Sequence, residues 1–307
     1  MKRLLYIFLS VSLFSSCDDG DIITEELDFG DTFNACGELV FYKTKESPAE
    51  SLSLKITSSS LTLEDLLALD ANGNLVTTEE TFTINGTTNQ FNYRRYNTTP
   101  TNFFCNDVPS SDIIITNDDE STSGTAKVNI FLLEDDNDGI PAELEDINGN
   151  GDLTDDDTDG DGIPNYLDED DDGDNVLTRL ELDTENLDGD DNPFTNPLDT
   201  DGDGIPNYLD NDDDGDGVLT INEENASQDQ DPSNDFTNPA IPDYLNPLVN
   251  TTVPATAYRD HTIKQFFKVT LELFSLTLST ITYDYLDFGT LEDASLNKTR
   301  VEEIPFP

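Results

Sequence analysis

Alternation of apolar and polar residues, the mark of a half-buried strand, recurs in short runs over the first part of the chain. ELVFYK (38–43), SLSLKITS (51–58), TFTI (81–84), FNYRRY (91–96), DIIIT (112–116) and AKVNIFLL (126–133) are strand candidates. Asn-Gly pairs at 72–73 and 85–86 mark turns, because glycine accepts positive φ without steric cost. LEDLLAL (63–69) has the spacing of one short helix or helical turn. Short strands at this spacing predict a mainly β fold, with an N-terminal antiparallel β-sandwich over residues 18–133. The alternation returns in FKVTLELFSLTLS and TITYDYLDFG (267–289), with phase slips near Phe274 and Ser279. This predicts a hairpin with a bulge or tight turn inside a C-terminal β segment, residues 247–307. A hairpin alone is marginal in water. These strands therefore either join the N-terminal sandwich or begin a small sheet of their own. LDFG occurs twice, at 27–30 and 286–289.

The first residues, MKRLLYIFLSVSLFSSCDDGD, add a location. Lys2 and Arg3 precede an apolar core from Leu4 to Phe14, far shorter than the ~20 residues of a spanning helix, so this is an export signal. Ser15, Ser16 and Cys17 follow and resemble a bacterial lipobox, although Phe14 stands where an aliphatic residue is usual. Cys17 is the expected lipidation site, and residues 1–17 the leader. Asp18 and Asp19 resemble the acidic tag of surface lipoproteins. The expectation is a lipid-anchored protein at the outer membrane or cell surface of a Gram-negative bacterium. With Cys17 lipidated, Cys36 and Cys105 remain, and an oxidising compartment makes them a disulfide candidate.

Charge separates residues 134–246 from the rest. The chain has a formal net charge of −53, and this segment holds 39 of its 67 acidic residues against one basic residue, Arg179. Such a balance excludes nucleic acid as a partner, which needs a basic stripe. The segment is also periodic. DTDGDGIPNYLD appears at 157–168 and 199–210, DDDGD at 170–174 and 212–216, and FTNP at 194–197 and 236–239, each offset by 42 residues. A third copy keeps only IPDYLN (241–246).

Each unit fits a calcium loop, in which oxygens come from positions 1, 3, 5, 7, 9 and 12 and glycine at 6 makes the turn. The first copy offers Asp157, Asp159, Asp161, the Ile163 carbonyl, Asn165 and Asp168, with Gly162 at the turn; the second offers Asp199, Asp201, Asp203, the Ile205 carbonyl, Asn207 and Asp210, with Gly204. After each copy comes a further loop: Asp212, Asp214, Asp216 and Glu223 surround Gly217, and Asp170, Asp172, Asp174 and Glu181 repeat the pattern with Asn175 in the glycine place. Asp146, Asn148, Asn150 and Asp157 keep the spacing upstream, Asp136, Asp138 and Glu145 keep part of it, and Asp188 and Asp190 form a further candidate. The cofactor expected from these residues is Ca²⁺, several ions of it.

With DxDxDGIPNxxD followed closely by DxDxDxV, the segment resembles the thrombospondin type 3 repeat family. The resemblance implies acidic loops wrapped around a row of calcium ions, with little regular secondary structure. On this basis the function expected is a calcium-binding surface lipoprotein with a structural or adhesive role, its repeats a calcium-stiffened stalk. The alternatives are a dockerin-like pair of loops, or a β domain that binds an extracellular protein or a glycan. A secreted hydrolase ranks below these: GxSxG, HExxH and P-loop patterns are missing, and the single histidine, His261, reads as a packing residue. Arg94 and Arg95, between Tyr93 and Tyr96, read as exposed strand residues before they read as a ligand clamp.

Overall fold

In the computed structural model the described residues are 27–37, 39–106, 108–183, 195–225, 228–279, 281–291 and 293–306. The leader with Cys17, and the candidate ligands Asp188 and Asp190, lie outside them. Ten strands form one sheet: β1 Thr32–Cys36, β2 Leu39–Lys45, β3 Glu50–Ile56, β4 Glu79–Ile84, β5 Asn89–Tyr96, β6 Ile115–Ser121, β7 Gly124–Asp135, β8 His261–Thr277, β9 Thr282–Leu291 and β10 Lys298–Glu302. The neighbours run β4-β7-β8-β9-β1-β2-β3-β5-β6, and β10 adds to β8. The sheet curls nearly into a barrel, and the mainly β expectation holds. The inward faces form one core, with Phe41, Leu54, Phe91, Val128, Val269, Leu271 and Phe288 at 0–1% exposure. Between β3 and β4 the LEDLLAL stretch forms one turn of helix, α1 (Leu63–Leu66), capped by Thr62, whose hydroxyl accepts from the Asp65 N–H.

The C-terminal strands are part of this sheet, which answers the question the sequence left open. β8 pairs antiparallel with β7 from Thr125↔Phe274 to Asp135↔Lys264. β9 then runs parallel to β1, with Thr32 opposite Thr290. The two LDFG segments meet at this seam. A side chain on Gly289 (φ +92°) would strike the Asp31 carbonyl, so the parallel strands close only because glycine stands there. Buried Lys43 donates to the Gly30 carbonyl beside it. The phase slip foreseen near Phe274 falls at Ser275, whose φ is +53°; inward positions shift there from Leu271 and Leu273 to Leu276 and Leu278.

Everything from residue 136 to residue 260 is therefore an insertion at the tip of the β7–β8 hairpin. Its ends are held a strand spacing apart, about 5 Å, by the last ladder pairs. Among the described residues, no helix is long and apolar enough to cross a membrane.

Candidate functional site

Among its described residues the insertion has little regular structure: short 3-10 turns, and one turn of α-helix, α2 (Thr178–Glu181). Its loops repeat one local device. An aspartate accepts a main-chain N–H two residues ahead on Oδ1, and its Oδ2 turns inward. Asp138 takes Ile140 N–H at 2.7 Å, Asp161 takes Ile163 at 2.6 Å, Asp174 takes Val176 at 2.7 Å and Asp216 takes Val218 at 2.9 Å. In all four the Oδ2 is buried without a hydrogen-bond partner. The two 42-residue copies agree in detail. Thr158 N–H donates to the Asn165 carboxamide and Thr200 N–H to that of Asn207, both at 2.9 Å. The turn positions need positive φ: Gly162 has +102°, Gly204 +100° and Gly217 +93°, and Asn175 holds the same place at +73°.

The consequence is an accumulation of buried negative charge that, among the described residues, only His261 is placed to offset. Among the groups whose carboxylate oxygens all lie within 4.8 Å of one another are Asp136, Asp138 and Glu145; Asp170, Asp172 and Asp174; and Asp174, Glu181 and Asp213. Every member is at most 5% exposed. Two ionised carboxylates at this separation repel by about 3 kcal/mol even at an effective dielectric of 20. Burial, and then the neighbouring carboxylates, push Asp136 up to about 10, and burial with Asp138 pushes Glu145 up to about 9. Asp172, Asp174 and Glu181 are raised well above the ordinary carboxylate range by the same two causes. Both oxygens of Glu145, Glu181 and Glu223 are buried and unpartnered. Orphaned buried carboxylates of this kind are stable only when protonated or bound to a cation. An all-oxygen donor set suits a hard cation such as Ca²⁺ or Mg²⁺.

The structure distributes the residues singled out from the sequence unevenly. Asp136, Asp138 and Glu145 converge, and so do Asp170, Asp172, Asp174 and Glu181. Asp212, Asp214 and Asp216 act together on Glu223, which is pushed up to about 9 by burial and then by these charges. Asp157, Asp159 and Asp161 form a cluster nearer the surface. Asp199, Asp201 and Asp203 keep the same loop geometry but are exposed, as is Ile205, while Ile163 and Asp210 are half-buried. The oxygens of Asp146 receive Asn150 and Gly151 N–H, and the carboxamides of Asn148 and Asn150 donate to Asp155 in an exposed loop. The side chains of Asn165 and Asn207 are bound to Thr158 and Thr200.

Three residues escape a loop-by-loop reading. Asp171 and Asp213 fall between the consensus positions, yet each is only 2% exposed. Their signal was in the sequence: both sit 42 residues apart, inside the DDD of each copy. The third is His261. It opens β8, is 3% exposed, and its Nδ1 lies against Asp168 Oδ1, which also accepts the Asp170 N–H at 2.9 Å. Burial lowers the imidazole pKa, but the Asp168 bond and the charges of Asp170 and Asp161 outweigh it and raise it overall. The return strand is tied further where Thr262 N–H donates to Glu169 and Arg259 N–H to Asn175 Oδ1.

Away from the insertion, Arg94 pairs with Asp118 and Arg95 with Glu50, both at 3.0 Å, so neither is a free ligand clamp. Cys36 and Cys105 stand as neighbouring thiols. Burial, together with a hydrogen bond to Cys105, pushes Cys36 up to about 12.

A family model described as BamM C-terminal matches residues 135–194 and 184–251; no curated protein and no solved structure matches the chain. The match overturns the resemblance to thrombospondin type 3 repeats, and with it the calcium-stiffened adhesive stalk. DxDxDG spacing is set by the geometry of a turn rich in carboxylates, so it does not by itself mark descent. The topology also speaks against a stalk: the segment leaves and re-enters the sheet at adjacent ladder positions, so it does not hold two domains apart. The outer-membrane location expected from the leader agrees with the match.

Proposed function

We propose that the chain is a non-enzymatic component of the machinery that assembles proteins in the outer membrane, and that the insertion, together with the β7–β8 face at its root, meets its protein partners. The observation that carries this reading is the match to BamM C-terminal, a family of the BAM outer-membrane assembly complex. The matched stretch begins at the last residue of β7 and runs on through the insertion. An exposed apolar patch at the insertion's root supports a protein contact there. Phe131, Leu133 and Phe266 share the outward face of β7 and β8; they are 48%, 60% and 37% exposed. A contiguous exposed patch of this kind favours a binding surface. A lipid anchor at Cys17 would hold the chain where such partners work. The test is affinity purification of the tagged full chain from native outer membranes, with depletion in parallel. Co-purification of the barrel-assembly complex and a fall in outer-membrane β-barrel proteins are expected. A chain that purifies alone, with barrel levels unchanged on depletion, overturns the reading.

A further inference from the structure

The clusters do not follow the loop boundaries. Asp213 belongs by sequence to the loop that begins at Asp212, but its carboxylate lies with Asp174 and Glu181 of the preceding repeat. Thr220 makes this possible. Its hydroxyl donates to Asp213 Oδ2 at 2.9 Å and accepts the Asp213 N–H at 3.3 Å, which leaves Oδ1 facing the older loop without a partner. Glu181, 1% exposed, presents two unpartnered oxygens to the same point, and Asp174, 0% exposed, presents Oδ2. Among the described residues, no lysine or arginine ion pair reaches any of the three. One repeat earlier the main-chain half of this arrangement recurs. Asp171 N–H donates to Thr178 Oγ1 at 3.1 Å, and both Asp171 oxygens are buried and unpartnered.

We propose that Asp213 completes a divalent-cation site with Asp174 and Glu181. The cation then staples one loop to the next, instead of sitting within a single loop. The donors are all carboxylate oxygens from three separate points of the chain, a set that a large, flexible coordination sphere accepts and strict octahedral geometry does not, so Ca²⁺ is the ion. The Asp-Thr pair seven residues apart, 213 with 220, is the sequence mark of the staple.

The experiment uses the full chain without its leader and calcium alone as the probe. Native mass spectrometry after chelation and Ca²⁺ readdition compares the parent with Asp213→Asn. Glu143→Gln, an exposed change that removes the same charge, is the control. Asp213→Asn is expected to carry one ion fewer than the parent and the control. An unchanged ion count with unchanged calcium affinity overturns the proposal. A second measurement needs no variant: carboxyl labelling of the parent along a Ca²⁺ titration from EDTA. Glu181 and Asp213 are expected to lose reactivity together at one midpoint. Different midpoints, or reactivity that calcium does not change, overturn it.

Discussion

The topology makes its strongest claim about what can be removed. If residues 136–260 are an excursion from the β7–β8 hairpin, replacing them with a short Asn/Gly turn leaves the ten-stranded sheet intact, because the ladder from Thr125↔Phe274 to Asp135↔Lys264 already fixes the register. The magnitude follows from two opposing effects. Shortening the connection from roughly 125 residues to roughly five lowers the loop-closure cost by about 3 kcal/mol, from (3/2)RT ln of the length ratio. Against this, the sheet loses the Asp168–His261 contact and the Thr262–Glu169 hydrogen bond, each worth about 1–2 kcal/mol. The two nearly cancel. Urea unfolding of the deletion variant, followed by far-ultraviolet circular dichroism, is therefore expected to give a cooperative transition within about 3 kcal/mol of the parent's sheet transition. A variant without a cooperative transition would show that the insertion is part of the fold and refute the hairpin argument.

The other predictions concern smaller changes. Leu271→Ala empties a fully buried position on β8 and is expected to cost about 2–5 kcal/mol in the same unfolding experiment; a loss under 1 kcal/mol would contradict the packing described. In chelator, Asp136 at about 10, Glu145 at about 9 and Asp213 at about 8 all stand above their ordinary value near 4. Their contribution is complete below pH 4 and is lost as pH rises through 8 to 10, so the chelated insertion should resist protease better at pH 5 than at pH 8. The opposite order would mean that these groups are not buried without cations. Oxidation should join Cys36 to Cys105, leave no free thiol in the denatured Cys17→Ser chain, and add about 4 kcal/mol to sheet stability for a loop of this length; two thiols persisting after oxidation would reject the pair. Leu133→Asp, on the exposed patch, should weaken co-purification with assembly partners while leaving the melting curve unchanged.

Much of the sheet was legible because its strands bury one face. β2, β3, β4, β5 and β7 fall within one or two residues of the alternating runs, and the Ser275 irregularity was visible as a broken phase. What was missed lacks that contrast. β1 and β10 are each five residues long, and β6 reads ITNDDES, its apolar Ile113 and Ile114 lying just before it. The parallel β1–β9 seam joins residues far apart in sequence, and the only trace of it was the doubled LDFG. At the site, spacing gave the loops because each turn is local. It did not give Asp171, Asp213 or His261, whose positions depend on how one loop packs on the next.

The two parts of the molecule are held by different physics, and that difference bears on where the function resides. The sheet is stabilised by an apolar core that needs nothing from its surroundings. The insertion buries charge, so its shape depends on what its medium supplies. The BamM C-terminal match covers the second part and not the first. On the proposed function, a self-sufficient sheet carrying an insertion sensitive to its medium would act as a mount and its working head. The deletion variant should accordingly fold, reach the outer membrane and fail to retain assembly partners. Retention of those partners by the bare sheet would confine the interaction to the β7–β8 face and separate it from the matched segment.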